Sequence, residues 1–137
     1  MSFIPDPETA PDPVTQLSAA ERAFYARQLI LPEIGMAGQL NLKAARVAVL
    51  GAGGLGAPAL LYLAGAGVGE IIIIDDDSIE ISNLHRQVIH SYARAGNSKA
   101  ESAAETMRAL NPFITVTVIR ERLTDANALS FLTGADA

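Results

Sequence analysis

Gly51-Ala52-Gly53-Gly54-Leu55-Gly56 follows the apolar run Arg46-Val47-Ala48-Val49-Leu50 and leads into the alanine- and leucine-rich segment up to Ala66. A short apolar run bounded by glycine is a buried strand, and the segment after the turn has helical composition. Strand, glycine turn and helix in that order form the G-x-G-x-x-G arrangement that binds phosphate. Gly51 permits the tight turn, Gly53 and Gly54 let backbone N–H groups approach a phosphate, and Gly56 lets the helix lie against the strand. The helix N-terminus adds partial positive charge. Pro58 falls in the first turn of that helix, where proline is tolerated.

Working outward, Glu70–Asp75 carries four consecutive isoleucines followed by acid. Isoleucine on both faces predicts a strand buried on both sides, as in a parallel sheet. Asp75 lies at the end of that strand, about twenty residues after Gly56, where an acid accepts hydrogen bonds from ribose hydroxyls. NAD and the adenosine of ATP satisfy that placement equally. Asp76 reads as a solvated loop carboxylate. Asp77 could cap the following turn or assist a metal, and spacing alone does not choose.

The segment 78–97 is predicted as loop and irregular turn. Ser98-Lys99-Ala100-Glu101 is a capping-box pattern opening a helix that ends at Asn111-Pro112, and Ile114–Ile119 is β-branched and predicts a third strand. A last short helix is expected from Thr124 through Leu132. Towards the N-terminus, Ser18-Ala19-Ala20-Glu21 is a second capping box, with a helix to about Leu31 stopped by Pro32. Phe24, Leu29 and Ile30 are its expected apolar face, and a shorter helical turn is expected across Gln39–Ala44. The alternation helix, then β-α-β-α-β-α, predicts parallel strands joined by right-handed crossovers. The expected architecture is α/β: a Rossmann-like doubly wound parallel sheet, preceded by an N-terminal helix. Because such a sheet normally continues, 18–137 is expected to be the N-terminal, incomplete part of a larger domain.

Composition narrows the possibilities. The chain has 137 residues, half of them hydrophobic, and a formal charge of −5. Met1–Leu17 holds Asp6, Glu8 and Asp12, four of the prolines and no Lys or Arg, so 1–17 is expected to be a disordered acidic tail. No basic stripe suggests nucleic-acid binding. The absence of Cys excludes disulfides, a Cys-liganded zinc site and a Cys nucleophile within this segment, and fits a cytoplasmic protein. The N-terminus lacks the pattern of a secretory signal, and the apolar stretch Ala57–Gly69 is too short and glycine-broken to span a bilayer.

Arg86 and Lys99 discriminate between nucleotides. The pyrophosphate of NAD is usually handled by backbone and helix dipole. A triphosphate carries more charge, and more develops on a departing pyrophosphate, where cationic side chains stabilise the transition state. Arg86 could offer bidentate contact with phosphate oxygens. Lys99 begins a helix, where a cation gains nothing from the dipole. The bland alternative for both is a surface ion pair. His85 and His90, in a polar loop without metal spacing or a Ser-His-Asp order, read as structural or solvated.

Taken in order, Tyr25-Ala-Arg27-Gln28, Gly51–Gly56, Asp75-x-Asp77, Ser82-Asn83-Leu84-His85-Arg86-Gln87, Gly96-Asn-Ser-Lys99-Ala-Glu101 and Asn111-Pro112 resemble the ThiF/MoeB/HesA family of adenylyltransferases related to ubiquitin-activating enzymes. The wording Gly56-Ala-Pro58 and Arg86-Gln-Val-Ile-His90 is closest to the molybdopterin-synthase adenylyltransferase/sulfurtransferase branch. The resemblance implies ATP with Mg²⁺ as cofactors. It implies a ubiquitin-like sulfur carrier ending in Gly-Gly as partner, whose terminal carboxylate is adenylated. By motif, Gly51, Gly53, Gly54 and Gly56 would form the phosphate turn, with Asp75 on ribose and Asp77 beside it. Ser82, Asn83, Leu84, His85 and Arg86 would line the nucleotide site, and Arg86 and Lys99 would contact phosphate. Arg27 would reach the ATP of the partner subunit in a homodimer. The Mg²⁺-linked Asp, zinc-binding Cys pairs and any reactive Cys are expected downstream of residue 137, so no metal ligand is assigned here. Two competing expectations remain: an NAD-dependent oxidoreductase domain, which leaves Arg86 and Lys99 unexplained, and a non-catalytic dimerisation module, which their presence argues against.

Overall fold

In the computed structural model the described residues are 16–137, so the expectation of a disordered tail falls, for residues 1–15, outside them. The described residues divide into two compact units, one ending at Asn41 and the other Leu42–Ala137.

In the first unit the Ser18 capping box forms in full: the Ser18 N–H donates to Glu21 Oε2 (2.7 Å) and the Glu21 N–H donates to Ser18 Oγ (3.1 Å). The single helix expected from it is instead two short ones, α1 (Ala19–Phe24) and α2 (Ala26–Leu29), divided at Tyr25, whose backbone leaves the helical region (φ −91°, ψ 11°). The expected apolar face is also corrected. Phe24 and Ile30 are exposed and Leu29 is half-buried, whereas Tyr25 and Leu17 are buried. Capping is local and readable from sequence, but the buried face of so short a helix is set by what packs on it. The turn expected at Gln39–Ala44 is a longer helix, α3 (Gly35–Ala44), beginning four residues earlier.

The second unit is an α/β layer. Its strands are β1 (Arg46–Leu50), β2 (Glu70–Ile74) and β3 (Thr115–Ile119); its helices are α4 (Gly56–Ala66), α5 (Lys99–Leu110) and α6 (Ala128–Leu132). The strands are parallel in order β1-β2-β3, with Arg46 opposite Glu70 opposite Thr115 and Leu50 opposite Ile74 opposite Ile119. The polar entry end is closed by an ion pair between Arg46 and Glu70 (3.1 Å).

Ile71 to Ile74 are all buried, as a strand covered on both faces requires. Ile71, Ile73 and Val116 join Leu60, Ala64, Ala103, Ala104 and Met107 in one core between sheet and helices. The alanines allow α4 and α5 to approach the sheet and each other closely, and burying Leu60 and Met107 contributes on the order of 1.5–3 kcal/mol each. Asn111 ends α5 with a structural role: its amide, fully buried, donates to the Ala64 carbonyl at the end of α4 (2.8 Å). In a parallel strand alternate residues turn their backbone groups to opposite edges. Ala45 and Gly51 bond towards β2, while Arg46 and Ala48 face away from it and bond to Asp136 and Ala137. The outer edge of β1 therefore receives the chain after α6, beginning the reversal of strand order that defines a doubly wound sheet. No helix among the described residues is long and apolar enough to cross a membrane.

Candidate functional site

The site is built at the C-terminal ends of β1 and β2, the edge at which doubly wound sheets bind ligands. Gly51 leaves β1 with φ +93°, a conformation that side-chain-bearing residues rarely adopt. A Cβ on Gly56 would come within 2.7 Å of the Gly51 carbonyl carbon and closer still to its oxygen, so α4 starts hard against the turn. Helix α4 begins only at Gly56, because the residues between Gly51 and Gly56 shape the turn.

Asp75 braces this turn. Its Oδ2 accepts from the Ala52 N–H (2.8 Å) and its Oδ1 from the Asp77 N–H (2.7 Å). Each carboxylate oxygen keeps a second lone pair, so bracing the turn and accepting from a ribose hydroxyl are compatible. Ser82–Gln87 passes over the turn. A 3₁₀ helix at Ile81–Asn83 and bonds from the Arg86 and Gln87 N–H groups to the Asn83 carbonyl curl it back. The Arg86 stem then lies against Gly54, with Cδ 3.6 Å from where a Cβ would stand, and the Gln87 amide nitrogen sits equally close to Gly53. Arg86 Nη2 donates to Asn83 Oδ1 (3.0 Å), and His85, which donates from Nδ1 to the Ser82 carbonyl (3.1 Å), places its Nε2 3.5 Å from Arg86 Nη1. Ser82 is exposed and Leu84 half-buried in the same curl.

Lys99 is brought in by a clip between two loop segments. The Lys99 N–H donates to the Asp77 carbonyl (3.0 Å), and Ile79 exchanges backbone bonds with Gly96 and Asn97. Its ammonium, 7 % exposed as a residue, meets Asp77 Oδ2 at 3.3 Å. Lys99 is thus in an ion pair whose lysine is buried and whose carboxylate is exposed. Asp76 is likewise matched, by Arg122 (3.1 Å). The three carboxylates of Asp75–Asp77 converge within 4.8 Å, but each already holds a cation or a backbone donor. Arg27 belongs to the first unit, exposed on α2.

The residue least legible in the sequence is His90. It is buried, with Nε2 2.9 Å from the Ala52 carbonyl and Nδ1 2.9 Å from Ser102 Oγ. A carbonyl only accepts, so Nε2 carries the proton and Nδ1 accepts from the serine. Burial pushes this imidazole below its ordinary range. The bond to Ala52 opposes the shift, Lys99 adds to it, Asp75 opposes it and Arg94 adds to it. A group whose pKa is lowered on folding contributes stability that is full above its unfolded value, near 6.5, and is lost as pH falls below it. The melting temperature is therefore expected to fall between pH 7.5 and 5.5, and a His90→Gln chain to show a flatter dependence in thermal denaturation at each pH. Only a Ser four positions into a helix hinted at this contact; the pairing spans residues distant in sequence.

The architecture is matched in known proteins. The chain is 54% identical over 118 residues to the "Probable adenylyltransferase/sulfurtransferase MoeZ" of Mycobacterium tuberculosis, covering 86% of this chain and 30% of that protein. It is 55% identical over 119 residues to the "Adenylyltransferase and sulfurtransferase UBA4" of Yarrowia lipolytica, covering 85% and 29%. The chain thus spans about three tenths of the length of these curated relatives. Among solved structures, the E. coli tRNA N6-threonylcarbamoyladenosine dehydratase TcdA, in complex with ATP, superimposes with a TM-score of 0.81 at 31% identity, over 86% of this chain and 48% of that one. The ThiF family model matches residues 25–137, which takes in every element from the Tyr25 break onward, and the chain belongs to the ThiF family.

Proposed function

We propose that this chain is the nucleotide-binding part of an ATP-dependent adenylyltransferase acting on the C-terminal carboxylate of a ubiquitin-like sulfur carrier. The observation that carries the proposal is Arg86. Its stem rests on Gly54 beside the positive end of α4, its guanidinium is exposed, and its described partners, Asn83 and His85, are an amide and an imidazole. A cation beside a helix N-terminus is unfavourably placed unless an anion joins both. A dinucleotide pyrophosphate is satisfied by the turn alone; a triphosphate, and the pyrophosphate leaving it, calls for the added charge.

The residues fit the nucleotide. The N–H groups of Gly53 and Gly54 have no acceptor among the described residues, and the two glycines leave room for close approach. Asp75 stands where ribose would lie. In this reading the carrier carboxylate attacks the α-phosphorus, the bond to the bridging oxygen breaks, and pyrophosphate leaves with the electron pair. Arg86 holds the phosphate oxygens as that charge develops. Lys99, released in part from Asp77 or sharing it, adds a point charge. Mg²⁺ would neutralise the phosphates. Its ligand and the carrier-binding surface are assigned to the greater length of the relatives, along with any zinc site. Arg27 completes the site of a partner protomer in a homodimer, and the enzyme works in the cytoplasm.

Parallel calorimetric titrations with ATP·Mg²⁺ and NADH test the nucleotide choice. ATP is expected to bind at least about tenfold more tightly, a difference of one charged contact. Tighter binding of NADH would overturn the adenylyltransferase reading in favour of an oxidoreductase domain.

A further inference from the structure

We propose that His90 is a positioning residue for the phosphate turn, acting through the peptide group between Ala52 and Gly53. This rests on the nucleotide reading above and deepens it.

Ala52 is fully buried and gripped from both sides: its N–H donates to Asp75 Oδ2 and its carbonyl accepts from His90 Nε2. Ser102 Oγ, on α5, holds the other ring nitrogen, so the imidazole is fixed in orientation and tautomer. A trans peptide is planar, with its N–H opposed to its C=O. Turning the Ala52 carbonyl inward to His90 therefore turns the Gly53 N–H outward, where it has no acceptor among the described residues. Without that grip the orientation is weakly determined. The peptide is bounded by the Cα of Gly53, and glycine φ rotates freely, so it can flip and present its carbonyl oxygen outward instead. An outward carbonyl would repel phosphate. The chain Ser102–His90–Ala52–Asp75 thus links α5, the loop and the end of β2 to the two peptide planes that meet at Ala52, and holds the turn in the state that donates. No proton is transferred; His90 works as a fixed, neutral donor.

The test compares His90→Leu, which removes the donor, with His90→Gln, whose amide nitrogen can reach the position of Nε2. ATP·Mg²⁺ affinity is measured by calorimetry on the full-length protein, and hydrogen exchange of the Ala52 amide by NMR without nucleotide. His90→Leu is expected to raise the Kd for ATP about tenfold, the loss of one buried hydrogen bond, and to speed Ala52 exchange severalfold, because the freed Ala52–Gly53 peptide loosens the adjoining bond from the Ala52 N–H to Asp75. His90→Gln should stay within about threefold of the parent in both, as a retained donor requires. A folded His90→Leu protein with parental affinity and exchange overturns the proposal, as does a His90→Gln protein as impaired as His90→Leu. Should His90→Leu not fold, Ser102→Ala takes its place: an intermediate loss of about threefold supports the proposal, and no change overturns it. If the parent fails to bind ATP, the nucleotide reading falls, while the exchange data still decide whether His90 holds the turn.

Discussion

Replacing Arg86 by Ala is expected to lower carrier-dependent ATP–pyrophosphate exchange in the full-length protein by ~10²–10³, the usual effect of deleting one preorganised partner of a developing anion. The melting temperature should stay within about 2 °C, because the guanidinium is exposed and surface substitutions rarely move stability by more than about 0.5 kcal/mol. Arg94 makes the contrast. Its guanidinium donates to the Ser102 carbonyl (3.1 Å) and Thr106 Oγ1 (2.8 Å) and pairs with Glu105 (3.1 Å), fastening the loop to α5. Arg94→Ala should lower the melting temperature by a few degrees, consistent with ~1 kcal/mol for lost hydrogen bonds, and leave exchange largely intact. Exchange insensitive to Arg86, or equally sensitive to both arginines, would remove the observation on which the proposed function stands.

The second large effect belongs to Gly56. Its missing side chain is what allows the first turn of α4 to sit on the Gly51 carbonyl. In Gly56→Ala the added methyl meets the backbone of Gly51, with no side chain able to move aside. Overpacking against a yielding core costs typically 1–3 kcal/mol. Here either the helix start or the Gly51 turn must shift, so the loss should be at or above about 3 kcal/mol, read as a fall in melting temperature or in soluble yield. A Gly56→Ala protein with parental stability would mean that the turn relaxes easily, and would undercut the rigid phosphate cradle. Gly53→Ala is the milder comparison, since a Cβ there meets only the Gln87 amide nitrogen at 3.6 Å, an ordinary contact.

These two positions differ in how far the sequence could speak for them. Gly56 was readable because its constraint is local: it faces a residue five positions back, within a strand-turn-helix pattern. Arg86 was readable as a cation in the right loop, but that its stem lies on Gly54 depends on the curl at Asn83 and on where the loop crosses the sheet. The strands were legible for a similar reason. β1 forms over the span its apolar run predicted, and β2 and β3 differ by a residue at one end: burial on both faces writes the isoleucine run of β2, and β1 and β3 show as short apolar or β-branched runs. The break at Tyr25 was not legible, since helix propensity across Ala19–Leu29 is continuous and the departure is confined to one backbone angle.

By itself the sequence determined the parallel α/β frame, the turn at Gly51–Gly56, the acid ending β2 and the caps at Ser18 and Ser98. All of these follow from periodicity, backbone freedom or hydrogen bonds between residues a few positions apart. Only the tertiary structure decided the pairings: Asp75 with Ala52, Lys99 with Asp77, Asp76 with Arg122, and His90 with Ala52 and Ser102. Each joins residues that no local pattern connects. Whether a carboxylate braces a turn, neutralises a lysine or waits for a ligand depends on burial and distance, which exist only once α5 and the loop before it are packed on the sheet.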